Sequence, residues 1–379
     1  MSGRSYLGLN VFDAALARLT EQYEAGHRLV VSVSGGKDSA VCAEMSILAA
    51  TQAGTLPVEM VCRDEEILFP GTMEYVERLA ARDEVDMHWV IAHQPILNAF
   101  DREQPYWWVM DLEVDRDLWV RQPPDWAEEI PDINIQALVS PRYFPPPDGK
   151  ELHCVMGLRV QESRQRMMGL HSSRGYLTKP NFLGVRNLRP IYDWTDADVW
   201  LGIRKYGWDY NSAYDVLHRL GVPRRDLRIS PPTMNPAGGD MLRLGASAWP
   251  EWWSRVCRRL PSVRTYAQYG RRAVQADRRY AETWEQTFHR TCVDQAPAWI
   301  SERAVKAMDS TLRRHGRHSS TPLPQAGKCL QCGILGSWRQ LVQSMYLGDP
   351  FSQRASWLPY VDPEFFRPGA GQWHGSPSF

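Results

Sequence analysis

The hexapeptide Ser34-Gly35-Gly36-Lys37-Asp38-Ser39 constrains this chain more than any other segment. It follows an apolar run at 28–33 (RLVVSV), read as a buried strand, and leads into 38–50 (DSAVCAEMSILAA), read as a helix. Two glycines let the backbone turn tightly and approach a ligand with no Cβ in the way. The helix that follows aims its free N–H groups and the positive end of its dipole into the turn. Such a turn is an anion site. Ser34 and Ser39 add hydroxyls, and Lys37 adds a charge. Asp38 is expected to hold the first helical turn or to help place Mg²⁺, which bridges phosphate oxygens. The loop is not G-x-x-x-x-G-K-S/T, because Asp38 follows Lys37, and it is not G-x-G-x-x-G. The competing reading is a strand-to-helix turn that merely contains Gly-Gly. The ordered string of loop residues in this context speaks against it.

The pattern around the loop predicts an α/β fold. Residues 9–25 have helical spacing and stop at Gly26; 58–62 read as a strand, 71–82 as a helix and 87–92 as a strand. Strands alternating with helices predict βαβ units, a mostly parallel sheet and a three-layer α/β/α arrangement. From about 98 to 150 the chain is rich in Trp, Pro and Asp, with Pro123-Pro124 and Pro145-Pro146-Pro147. This reads as an insertion near the active face, since loops leaving strand ends carry function. Pattern returns at 152–157 (strand), 161–170 (helix), 188–191 (strand) and 195–206 (helix). Beyond about 240 the chain reads as helical, 308–328 as polar and loop-like, and the tail after 358 as poorly ordered. A chain of 379 residues exceeds what one core usually organises. The expected division is a nucleotide-binding domain at 1–240, a mainly helical C-terminal region at 241–357 and a flexible tail at 358–379.

Charge excludes a wholesale polyanion binder, because Lys plus Arg and Asp plus Glu number 44 each. A local basic face of Arg255, Arg258, Arg259, Arg264, Arg271 and Arg272 stays open, with a solvated helix face favoured over nucleic-acid contact. No apolar run approaches the ~20 residues that span a bilayer. The N-terminus lacks an apolar signal core, so a cytoplasmic protein without membrane contact is expected. Seven scattered cysteines are not a disulfide framework. The 16 tryptophans, Trp107-Trp108 and Trp126 among them, read as packing anchors where regular structure fails.

Several other residue types point to chemistry. Asp64 or Glu65, at the end of the second strand, lies at the edge where open α/β sheets bind ligands, and a carboxylate there holds a ribose hydroxyl or a metal. Arg159 and Arg166 can face the same way beside a helix start, and two guanidiniums suit a phosphate or sulfate. Glu162 can orient one of them; the alternative is an exposed Glu/Arg salt-bridge network. Trp194, Val199 and Trp200 read as packing residues, Asp193 and Thr195 as helix-start residues, and Arg189 as the functional candidate of its segment. His153, His171 and His218 read as isolated. Near the C-terminus, Cys329-Leu-Gln-Cys332 has metal-knuckle spacing and His289-Arg-Thr-Cys292 offers a second pair. Together they would form a Cys₃His zinc site. Cys257 in place of His289 would give four thiolates for an iron–sulfur cluster. A redox or sulfur-carrying thiol pair, or two cysteines near each other by chance, are the other readings. Cys42, Cys62 and Cys154 read as small core residues.

Taken in order, SGGKDS (34–39), CRDEEILFPGT (62–72), GLRVQESRQR (157–166) and RPIYDWTDADVW (189–200) resemble the PP-loop ATP pyrophosphatase superfamily, in its phosphoadenosine-phosphosulfate (PAPS) reductase-like branch. The resemblance implies an adenine nucleotide α-hydrolase-like fold. It implies nucleotide contacts from Ser34, Gly35, Gly36, Lys37, Asp38, Ser39, Asp64, Glu65, Gly157, Arg159, Glu162 and Arg189. Lys37, Asp38, Arg159 and Arg166 would serve the chemistry. Reductases of this branch usually lack the lysine and second glycine of the loop, which this chain keeps. That implies ATP, with Mg²⁺, cleaved to AMP and pyrophosphate to adenylate an acceptor in sulfur transfer or in nucleic-acid or nucleotide modification. The rival is reduction or transfer from PAPS or adenosine phosphosulfate with Cys332 as nucleophile. Gln331-Cys332-Gly333-Ile334-Leu335 only partly echoes the reductases' cysteine motif. Residues 209–268 resemble a smaller group of predicted PAPS sulfotransferases, some described as co-activators of prophage gene expression. Such genes often accompany a ParB-like partner, so a nucleotide-binding regulator is the third reading.

Overall fold

The computed structural model describes residues 8–130, 138–162, 167–168, 175–224, 227, 229, 236–332 and 336–367. Its strands are β1 (Arg28–Ser32), β2 (Val58–Arg63), β3 (Val85–Ile91), β4 (Pro95–Leu97), β5 (Tyr106–Trp108), β6 (Glu128–Glu129), β7 (Leu152–Val155) and β8 (Val185–Leu188). The α-helices are α1 (Val11–Glu24), α2 (Lys37–Ala53), α3 (Pro70–Ala80), α4 (Asp196–Tyr206), α5 (Ala213–Arg219) and α6 (Pro236–Ala248). They continue with α7 (Pro250–Arg259), α8 (Pro261–Tyr269), α9 (Trp284–Phe288), α10 (Ala298–Gly316) and α11 (Trp338–Met345). The chain forms two compact units: Met1–Gln94, Val109–Pro231 and Ala248–Trp252 in the first, and Pro95–Trp108, Pro232–Ser247 and Trp253–Phe379 in the second.

In the first unit six strands lie in the order β6-β3-β2-β1-β7-β8, every neighbouring pair parallel. This is the α/β fold with a parallel sheet that the strand–helix alternation predicts. Local sequence sets the elements. Asn10 caps α1 by accepting from the Asp13 N–H at 2.9 Å, and Thr195 with Asp198 makes a capping box at the start of α4. The last strand lies at Val185–Leu188 rather than at 188–191. Pro190 lacks the N–H that a ladder needs, so pairing stops before it.

Strand alternation separates the two faces of the sheet. Val30, Val61, Val90, Leu152 and Val185 form one apolar cluster. Phe144, Leu138, Val139 and Tyr143 cover it, so among the described residues the irregular insertion supplies this layer. Helices α1 and α2 pack on each other and on β1. Within the predicted helix 161–170, Val160–Glu162 is a 3₁₀ turn, and 163–166 and 169–170 lie outside the described residues.

The second unit is mainly helical, as the sequence beyond 240 predicts. Phe288, Cys292, Ala304, Ala307, Trp338, Leu341 and Met345 form its core. A second cluster joins Tyr106 and Trp108 of β5 to Trp299, Ile300, Val361 and Phe366. The paired strands β4 and β5, cut from the Trp-rich stretch, are therefore core rather than loop. Two expectations are corrected here. Residues 308–316, read as loop, continue α10, because a helix that buries one stripe tolerates a wholly polar opposite face. Residues 358–367, read as loose tail, bury Val361 and Phe366; 368–379 lie outside the described residues. Among the described residues no helix is long and apolar enough to cross a membrane.

Arg303 ties this unit together. Its buried guanidinium donates to the carbonyls of Gly348 (2.8 Å), Asp349 (2.7 Å) and Pro359 (2.6 Å) and to Ser352 Oγ (3.1 Å). Arg303→Met removes these donors and leaves buried carbonyls without partners, at about 1–3 kcal/mol for each one left unsatisfied. Urea denaturation followed by tryptophan fluorescence should show a loss of roughly 3 kcal/mol. An unchanged midpoint would mean that the carbonyls find other donors.

Candidate functional site

Open α/β sheets bind ligands at the carboxyl ends of their strands, where strand order reverses. Here the order reverses at β1, which has β2 on one side and β7 on the other. A cleft of about 1930 Å³ lies there, lined by the loop after β1, the ends of β2 and β7, and residues of α4 and α5.

Long-range contacts fix the loop. Gly35 has φ 70°, and a Cβ on it would collide with Thr72 Cγ2. The Asn211 side-chain amide holds the turn from below, donating to the Gly35 carbonyl (3.0 Å) and to Thr72 Oγ1 (2.8 Å). Ser39 Oγ accepts from the Ser34 N–H (3.2 Å) and donates to the Gly36 carbonyl (2.9 Å). The Lys37 N–H donates to the Tyr214 hydroxyl at 2.9 Å. Burial pushes the Tyr214 pKa up, so this hydroxyl stays a phenol. Gly157, at the end of β7, lies against the first turn of α2: a Cβ there would sit 2.6 Å from Asp38 C and 2.7 Å from Ser39 N. Gly36 gives the start of α2 no side-chain cap of its own, and the Lys37 N–H, the first of the helix, is taken by the Tyr214 hydroxyl.

Two cations converge at this turn. Lys37 Nζ is 3.3 Å from Asp196 Oδ1 and 3.7 Å from Asp38 Oδ2. Arg159 donates to Asp38 through Nε (2.7 Å) and Nη2 (3.3 Å), with Nη2 also 3.5 Å from Asp196. The Lys37 and Arg159 side chains are 8% and 4% exposed. Asp196 opens α4, and its N–H donates to Gln161 Oε1 at 2.8 Å. Glu65 pairs with Arg63, whose pKa burial lowers, and both line the cleft. Trp200 forms an aromatic wall, edge-on to Tyr210 (5.6 Å) and Tyr214 (5.4 Å).

Most of the expected nucleotide residues thus meet. Ser34, Gly36, Lys37, Asp38, Ser39, Glu65, Gly157, Arg159 and Glu162 line the cleft, and Gly35 supports it through Asn211. Arg166 lies outside the described residues. Asp64 is corrected. Its side chain is 0% exposed, accepts from Trp89 Nε1 (2.9 Å) and the Glu66 N–H (2.8 Å), and pairs with Arg121 of the insertion. Glu66 completes this clamp, accepting from the N–H groups of Met110 (2.6 Å) and Val120 (3.1 Å). Arg189 is also corrected: it does not line the cleft, and burial lowers its pKa. Asp38 pairs with Arg159. Asp193 pairs with Arg18 (2.7 Å) while Thr195 caps the helix. His153 is not isolated, since it packs on His27 and lies 3.2 Å from Glu151. Sequence reasoning missed Asp196, Asn211, Tyr214 and Glu66 as site or support residues. Only Asp196 carried a signal, as an acidic residue in a first helical turn.

The C-terminal tetrad does not assemble. His289 packs its ring on Phe288 and Trp338. Cys292 is buried beside Thr291, and burial pushes its thiol up to about 11. Cys257 is buried and its thiol also raised. The Cys329/Cys332 pair instead meets His315. The Cys332 N–H points at Cys329 Sγ and holds that thiol down to about 7. Of the arginines that could form a basic face, Arg259 is occupied, with its guanidinium over the Trp107 ring.

Asp64 and Lys37 should separate in experiment. Asp64→Ala strands the Arg121 charge and should cost about 3–5 kcal/mol of stability, measured by denaturation. Lys37→Ala should change the unfolding free energy by no more than about 1 kcal/mol, because Asp38 keeps Arg159 and Asp196 is partly exposed to solvent. Equal losses from both would put the two residues in one structural network.

No family model matches the chain. Over 290 residues it is 29% identical to YbdN of Escherichia coli (strain K12), a protein described only as uncharacterized, covering 69% of this chain and 68% of YbdN. Among solved structures it is similar to the FMN adenylyltransferase of Candida glabrata in complex with ATP, at TM-score 0.35 and 15% identity. That match covers 54% of this chain and 57% of the adenylyltransferase, less than two thirds of its length. The PAPS reductase of Candida auris matches at TM-score 0.31 and 14% identity over 60% of this chain and 97% of that one. The U34-tRNA thiolase NcsA of Methanococcus maripaludis, solved with its 4Fe-4S cluster, matches at TM-score 0.33 and 12% identity over 71% and 83%.

Proposed function

We propose that the first unit binds ATP in this cleft and cleaves it between the α- and β-phosphates, passing the adenylyl group to an acceptor. The observation that carries this reading is the pair Lys37 and Arg159, nearly buried side by side at the helix start that lines the cleft. Cations so placed, with oriented backbone N–H groups, suit the charge that develops on a leaving pyrophosphate. Their carboxylate partners leave the cluster neutral until a stronger anion arrives. The phosphate chain takes Lys37 from Asp196, whereas Arg159 keeps Asp38, which fixes the plane of the guanidinium. The remaining N–H groups of Arg159 then face the α-phosphate or the acceptor. Trp200 and Tyr210 offer faces and edges for a base. The cleft exceeds the roughly 300–1,000 Å³ of a usual small-ligand pocket, which leaves room for an acceptor beside the nucleotide. Sulfur transfer or nucleotide modification is the class of reaction that the sequence resemblance supports for that acceptor.

The described residues do not by themselves make a Mg²⁺ site. Asp38, Asp196 and Glu65 are each engaged by Lys37, Arg159 or Arg63.

Incubation with α-³²P-ATP and candidate acceptors, resolving AMP, adenylated product and PAPS, tests the reading. Lys37→Ala should lower AMP and pyrophosphate formation roughly 10²–10³-fold. Tight binding of PAPS with no cleavage of ATP would replace it with the sulfonucleotide reading, and ATP binding without turnover would replace it with a nucleotide sensor. Asp196→Asn removes the competing carboxylate and should tighten ATP binding several-fold in calorimetric titration. Weaker binding would make Asp196 an orienting residue instead.

A further inference from the structure

The second unit holds a cluster that the proposed ATP chemistry does not use. His315 stands in the last turn of α10, and Cys329 and Cys332 flank a tight turn after it. One imidazole nitrogen and two sulfurs lie within 4.8 Å of one another. We propose that His315 Nδ1, Cys329 Sγ and Cys332 Sγ bind a zinc ion, with a fourth coordination position open to an exchangeable ligand.

Three observations carry this. The first is the imidazole's tautomer. His315 Nε2 lies 2.8 Å from the Thr321 carbonyl, which can only accept, so Nε2 carries the proton. With Nε2 protonated, Nδ1 is the nitrogen that faces Cys332 Sγ, 3.4 Å away, and it is the one available to a metal. A carbonyl holding the far nitrogen is the usual support of a metal-bound histidine. The second is spacing. Zinc bonds of about 2.3 Å to sulfur and 2.0 Å to nitrogen set a tetrahedral N–S edge of about 3.5 Å. The observed 3.4 Å matches that edge. The third is the turn itself, in which the Cys332 N–H points at Cys329 Sγ at 3.5 Å. That folds the Cys-x-x-Cys segment so that both sulfurs serve one centre, as zinc knuckles do.

Ligand chemistry selects the metal. Two thiolates and one imidazole suit zinc. An iron–sulfur cluster calls for more thiolates, and neither Cys257 nor Cys292 belongs to the group. Bound as thiolates, the two sulfurs would balance the charge of Zn²⁺. Among the described residues three ligands meet here, and three protein ligands plus an exchangeable position is the pattern of reactive rather than purely structural zinc. His315 and Cys332 also line a cavity of about 540 Å³ shared with Arg314, Lys328 and Arg354, a surround that favours a small anion as fourth ligand.

The test uses the full chain purified under reducing conditions. Elemental analysis should find one zinc per chain, and X-ray absorption should find two sulfurs with nitrogen or oxygen completing the shell. Replacement by Co²⁺ should give the intense visible bands of a four-coordinate site, and thiocyanate should shift them. Cys329→Ser, Cys332→Ser and His315→Ala should lose the metal, His315→Cys should keep it, and His289→Ala and Cys292→Ser should leave it unchanged. The wild-type spectra do not depend on any variant folding. A reduced protein that takes up no zinc, a shell of four sulfurs, or metal loss in His289→Ala or Cys292→Ser would each overturn the site. A cobalt spectrum indifferent to thiocyanate would overturn the open position.

Discussion

Lys37 and Arg159 bring two positive charges to a nearly buried position at the first turn of α2, and much of the first unit serves to keep them there. Taking a cation out of water costs several kcal/mol unless close partners offset it. Asp38 and Asp196 are those partners, one from the same turn and one from the start of α4. Paired charges of this kind contribute little net stability. Their effect is order: the pairing orients each side chain, which under the proposed function lowers the cost of binding an anion. Gly157 lets the end of β7 lie flat on the turn, and Asn211 and Tyr214 hold its backbone groups.

The insertion after β3 has a structural part in this arrangement. Buried carboxylates at 64 and 66 grip it, Asp64 through Arg121 and Glu66 through the N–H groups of Met110 and Val120. Phe144 and its neighbours then cover a face of the sheet. Glu65, between the two clamps, faces the cleft instead. Three consecutive acidic residues at one strand end thus divide between support and site. Which one does which depends on the direction each side chain takes as the strand ends, and a reading by residue type assigned Asp64 to the wrong side.

Much of the fold and part of the site were legible beforehand. The strand–loop–helix around residues 28–53, the capped start of α4 and the alternation of elements are local, and local propensity and hydrogen bonding decide them. The failures share a cause. A polar stretch at 308–316 hid a helix because its stability comes from one buried stripe, including Ala304, Ala307 and His315, rather than from its composition. The loose tail was misread because Val361 and Phe366 find a core made by Tyr106 and Trp299. His289 drew attention by its spacing to Cys292, yet its ring went to Trp338, and His315 reached the cysteines from α10.

The sequence by itself determined a Gly-Gly turn between strand and helix, a parallel α/β sheet and a Cys-x-x-Cys pair, because each rests on residues a few positions apart. Tertiary structure alone decided which charges meet at the turn. Arg159 reaches Asp38 across 121 positions, and Tyr214 reaches the Lys37 N–H across 177. Contacts at such separation follow from how strands are ordered in the sheet and how helices pack around it, and no local pattern encodes that ordering.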